Sequence, residues 1–271
     1  MLAKHKVAGS TPVARFLEGQ EFLAFFYPRA SHEQKVQAVA LNLRREAARA
    51  FFEALERGLG SDEVLADKQC VALILDKAQR DHAAATGKRF DSEGAFRNKL
   101  LFPKIDEIVA DWCRRREIKA DPYKVFRYVG PERGPTQHEM GIGPSLNTAN
   151  RLFDRLVEAA PEISDCRAKL TRSETSAVAP ALRLQHPLPF GAAGECKYGG
   201  TRKDLDRAIF QTVLDVATGG DLSRGWRYDC GVLIFYPTPS RRDLLGDDLV
   251  ERWDDLRTRI WEAARTWVIV L

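Results

Sequence analysis

Cysteine is scarce and poorly placed for covalent or metal staples. The 271-residue chain has five, at 70, 113, 166, 196 and 230, with no C-x-x-C spacing. That pattern argues against a zinc ribbon and indicates no disulfide framework, so a reducing, cytoplasmic compartment is expected. No apolar run approaches the ~20 residues of a membrane-spanning helix. Met1 to Ser10 lacks the apolar h-region of a signal peptide, so none is expected and no membrane partner is implied. An excess of either charge is also missing, since 42 Lys+Arg oppose 38 Asp+Glu. The +4 that remains is too small to prove a nucleic-acid partner, and there is no basic tail, low-complexity segment or fixed-period repeat. Any nucleic-acid surface must therefore be local and assembled by folding.

What is present is an ordinary globular composition, 44% hydrophobic and 30% charged, in a chain long enough to bury a core without staples. Val36 to Leu59 carries apolar residues at helical spacing, with Gly58 and Gly60 as stop signals. Asp62 to His82 and Phe96 to Arg116 repeat the stripe. Residues 129–150 turn to Gly/Pro-rich loop chemistry, and a helix then runs from about Ser145 to Ala160, ended by Pro161. Three short strands are predicted at Cys166–Thr171, Ala177–Leu184 and Phe190–Tyr198. A helix over Asp204–Ala217 follows, then the strand Arg227–Tyr236, and a last helix from Leu249 to Trp267. The prediction is a mixed α/β fold. A helical region, 1–140, serves DNA recognition or dimerisation and packs on an α-β-β-β-α-β core spanning 141–271.

The chemistry concentrates in Gly194-Glu-Cys-Lys-Tyr198. On a strand, Glu195 and Lys197 share one face. A carboxylate beside an ammonium suits phosphodiester hydrolysis. The carboxylate offers a hard oxygen to Mg²⁺, and the lysine can orient or deprotonate the attacking water or offset charge on phosphorus. Cys196 points to the other face, with its carbonyl left as a further metal oxygen. Alone, E-x-K is a common accident of sequence, but here glycines flank the strand, a helix containing Gln211 follows, and an apolar strand comes after it.

This arrangement resembles the PD-(D/E)xK nuclease superfamily, which includes many type II restriction endonucleases, over about residues 140–240. The resemblance implies an α-β-β-β-α-β core, Mg²⁺, and double-stranded DNA as substrate. It implies Glu195 and Lys197 as the E-x-K pair and Gln211 as a polar residue near the site. Cleavage of a symmetric site would call for a two-fold homodimer. The departure is the first acid. Pro180 stands 15 residues before Glu195, but Ala181 occupies the position where the family has aspartate. Three explanations are open. The chain is an Asp→Ala form that binds but barely cuts, a degenerate nuclease that only binds nucleic acid, or a nuclease whose acid comes from elsewhere, such as Glu158, Asp165 or Glu174. The first is the reading taken from the sequence, with a metal site at Glu195, Cys196 and position 181.

Other motifs have plainer readings beside the functional ones. Arg114–Arg116 with Lys119, Lys124 and Arg127 suits phosphate contacts, although such runs are more often a solvated helix end. His138-Glu139 could line a groove. Trp253, Trp261 and Trp267 suit a core or an interface. Gly141-x-Gly143 is no dinucleotide fingerprint, and Ser145 and Ser176 have no apparent His/Asp partner.

Overall fold

The computed structural model of the chain describes residues 32–118, 126–127, 142–163, 182–184, 188, 190–218 and 228–271. Helices come first: α1 (His32–Gly60), α2 (Glu63–Ala66), α3 (Lys68–Thr86), α4 (Ser92–Phe96) and α5 (Phe102–Arg114), with a π-helical turn at Arg97–Leu101. The remainder alternates through β1 (Phe126–Arg127), α6 (Ile142–Ala159), β2 (Leu182–Leu184), β3 (Ala192–Tyr198), α7 (Arg202–Thr218) and β4 (Cys230–Tyr236). It ends with α8 (Arg241–Leu245), α9 (Asp247–Glu251), α10 (Trp253–Ala264) and β5 (Thr266–Val270). Among these residues no helix is long and apolar enough to cross a membrane.

The strands form one mixed sheet in the order β1-β2-β3-β4-β5. β1, β2 and β3 pair antiparallel, with Leu182 opposite Gly194, while β3, β4 and β5 run parallel. Helices cover both faces, which is why β4 reads as an unbroken apolar run. On one face Val232, Ile234 and Tyr236 pack with Phe51, Leu55, Phe96 and Trp112 of the N-terminal helices. On the other, Leu233 and Phe235 pack with Phe153, Phe210, Trp253 and Leu256. The N-terminal helices thus share one hydrophobic cluster with the sheet. Phe51 meets Trp112 edge-on at 5.2 Å between ring centroids.

Four expectations change at this level. Trp267 is not helical. Arg265 takes the left-handed conformation (φ 57°) and donates its N–H to the Trp261 carbonyl, which ends α10, and the β-branched run after it pairs with β4. Gly58 does not stop α1; it lies inside the helix, at a point where an added Cβ would sit 2.6 Å from Ile108 Cδ1, so its glycine serves the close approach of α5. The second stripe is split by Asp67, whose carboxylate accepts from the Gln69 and Cys70 amides and caps α3. The third is interrupted by the π turn, in which the Phe102 N–H donates to the Arg97 carbonyl. Pro103 explains that turn, since it has no N–H for the carbonyl four residues back and its ring would crowd it. The strand expected at 177–184 is described only over 182–184, and that at 166–171 lies outside the described residues.

Helix α7 lies close on the sheet over Gly231. A Cβ there would be 2.5 Å from Val216 Cγ2 and 3.0 Å from Thr212 Cγ2. Gly231→Ala should therefore lower stability by about 1–3 kcal/mol through overpacking, read as a lower urea midpoint at unchanged m-value.

Candidate functional site

Strand β3 carries the site. Cys196 packs in the cluster with the N-terminal helices, while Ala193 packs on Val216 of α7. Strand alternation places Glu195 and Lys197 on the Ala193 face, opposite Leu233 and Phe235 of β4. Lys197 Nζ lies 2.8 Å from Glu195 Oε1 and 3.9 Å from Glu93 Oε1, and Arg97 Nη1 is 3.6 Å from the same Glu93 oxygen. Glu93 lies in the first turn of α4 and Arg97 opens the π turn that follows, so these consecutive turns bring two charged side chains to the E-x-K pair.

Glu195 is 3% exposed, and its Oε2 is buried without a hydrogen-bond partner. Burial raises its carboxyl above the usual range, against the pull of Lys197. Burial alone would lower Lys197, but Glu195 and then Glu93 outweigh it and hold the ammonium above its ordinary value. Lys197 thus stands as a cation between two carboxylates.

A residue missed in the sequence completes the picture. Asp215 of α7 is 1% exposed, and neither of its carboxylate oxygens has a partner. Burial holds its carboxyl well above the usual range, and the negative charge of Glu195 adds to the effect. The signal was there to read. Asp215 sits between Leu214 and Val216, and none of positions 211, 212, 218 and 219 on its helix face offers a basic partner. Gln211 is half-buried one turn earlier on the same helix.

Oxygen donors are what this face offers. The Gly199 N–H donates to Tyr236 O, and Gly191 O accepts from the Asp229 N–H, so odd-numbered residues of β3 turn their amides to β4. The Cys196 carbonyl therefore turns away from β4, to the side where described β2 pairing stops at Gly194. Two carboxylates with unpartnered oxygens, beside a carbonyl with no partner among the described residues, fit a hard divalent cation. Among the described residues no three His, Cys, Asp or Glu side chains converge as a metal group. No protein-family model, no curated protein and no solved structure matches the chain.

The remaining sequence candidates separate. Ala181, Asp165, Glu174, Ser176 and His138-Glu139 lie outside the described residues, as do Lys119, Lys124 and the side chains of Arg127 and Ser145. Glu158 is exposed on α6. Arg114 and Arg115 pair with Asp111, and Arg116 lies 3.9 Å over the Trp112 ring, a solvated helix end tied down locally. Trp253, Trp261 and Trp267 are core residues.

Proposed function

We propose that the chain is a Mg²⁺-dependent endonuclease acting on double-stranded DNA as a two-fold dimer. The observation that carries this reading is the Glu195–Lys197 pair set beside the unpartnered, buried Asp215 carboxylate. The order α6, β2, β3, α7, β4 around that pair supports it, since it is compatible with the α-β-β-β-α-β core that the resemblance implies, whose first strand, expected at 166–171, lies outside the described residues. Glu195 and Asp215 would hold Mg²⁺, with the Cys196 carbonyl as a third oxygen, and Asp215 would stand in for the acid absent at Ala181. When bound, the ion lowers the pKa of a coordinated water and offsets charge on phosphorus. Lys197 faces the scissile phosphate as a fixed cation, stabilising charge that grows as water attacks phosphorus and the sugar oxygen leaves. Glu93 and Arg97 hold the lysine in register, and Gln211 lies on the same helix face as Asp215.

Plasmid cleavage with Mg²⁺ or Mn²⁺ tests this reading, with the unmodified chain and Ala181→Asp run side by side. Cutting by the unmodified chain supports it. Cutting only by Ala181→Asp would instead mean that the site needs the acid missing at 181. Retarded DNA migration with no cutting by either protein would leave a nucleic-acid binder on a decayed core.

A further inference from the structure

A second site lies at the other end of the parallel strands. Lys197 is near the C-terminal end of β3, whereas Arg265 immediately precedes β5. Arg265, with Arg45 of α1 and Arg151 and Arg155 of α6, lines a cleft of about 540 Å³. Among the described residues the acids in the lining are Asp154 and Glu262, so four guanidiniums face two carboxylates. Among the described residues none of the four arginines has an ion pair, and Arg45 Nε is buried without a hydrogen-bond partner. Asp229, whose charge reaches both Arg45 and Arg265, is already engaged by Arg44 at 3.3 Å and by the Gly191 N–H at 3.0 Å. Burial weakens the hold of Arg45 and Arg265 on their protons; the charge of Arg155 acts in the same direction on both, and that of Arg45 on Arg265, against the pull of Asp229. Half-buried guanidiniums that outnumber the acids around them are costly unless a ligand anion joins them.

The backbone adds an independent observation. Arg265 holds a φ of 57° at the C-cap of α10, a position that glycine fills without strain. An arginine kept in a left-handed conformation that directs it to a cleft is a strained residue with a use.

We propose that this cleft binds a chain of two or three phosphates, either free or carried by a nucleotide. Guanidinium forks match phosphate oxygens in pairs, and four forks present more N–H donors than the oxygens of one phosphate can accept. The volume falls in the range of small-molecule sites. A concave cleft with its deepest cations half-buried suits a compact anion better than a duplex, whose backbone is met by an open surface. This reading is independent of the endonuclease assignment.

Calorimetric titration of the full chain at about 0.15 M salt tests it, using tripolyphosphate and adenosine triphosphate as separate probes. One site per chain is expected. Arg45→Gln and the exposed pair Arg151→Ala/Arg155→Ala should each weaken binding at least tenfold. Arg265→Gly should weaken binding equally while melting at or above the temperature of the unmodified chain, because the strain at the cap is relieved. A purely structural arginine would give the opposite melting result. Tighter binding of the nucleotide would assign the phosphate chain to a nucleotide, and equal binding to free oligophosphate. No heat at millimolar probe would overturn the proposal, as would equal affinity in every variant. Short duplex DNA losing affinity in these variants, with both probes inert, would also overturn it and place the cleft on the DNA path.

Discussion

Replacing Lys197 with alanine should cut Mg²⁺-dependent cleavage of plasmid DNA at least about 10³-fold while DNA affinity moves by less than about tenfold. The asymmetry follows from where the ammonium sits. It is ion-paired with Glu195 at 2.8 Å and reaches Glu93 at 3.9 Å, so its charge is fixed before substrate arrives. A preset charge is worth most where new charge develops, in the transition state, and little to a duplex bound through many phosphates. Single-turnover cleavage and a gel-shift titration on the same preparation separate the two quantities. Equal losses in both would make Lys197 a phosphate anchor and remove it from the chemistry.

Asp215→Asn should do two opposite things. Without divalent ions the variant should be more stable by about 1–3 kcal/mol, because burial favours the neutral Asp215 carboxyl, so that folding near pH 7 must take up a proton that an amide does not need. With millimolar Mn²⁺ the unmodified chain should gain thermal stability and the variant should gain little, because an ion stabilises only the fold that binds it. Glu195→Gln should lose the Mn²⁺ response as well. Melting curves with and without Mn²⁺ for the three proteins are sufficient. An undiminished Mn²⁺ response in Asp215→Asn would detach Asp215 from the metal. A drop in metal-free stability would mean that the carboxylate has a structural partner.

The parts of this molecule that the sequence shows are those with a local signature. β4 is legible because burial on both faces leaves an uninterrupted apolar run, and Glu195 and Lys197 are placed together by the two-residue period of a strand. β5 was misread because Trp253, Leu256, Ile260 and Trp261 set a helical phase that Trp267 continues, and only the left-handed Arg265 breaks it. Glu93 and Arg97 were invisible as site residues because they stand about a hundred positions from Lys197, and a π turn and a shared core bring them back to it. The arginine cleft has no sequence signature either, since its four members come from three separate elements.

The two strands CGVLIFY and TWVIV contain neither charge nor proline, and every residue in them is buried. In the native sheet their hydrogen-bonding edges face each other. Once separated by heat, segments of that composition stack with copies of themselves from other molecules. Thermal denaturation should therefore run to precipitate instead of a reversible transition, with an apparent Tm that climbs as the scan is made faster. Lifetime at temperature would then be set by how rarely β5 peels from β4, a rate and not an equilibrium.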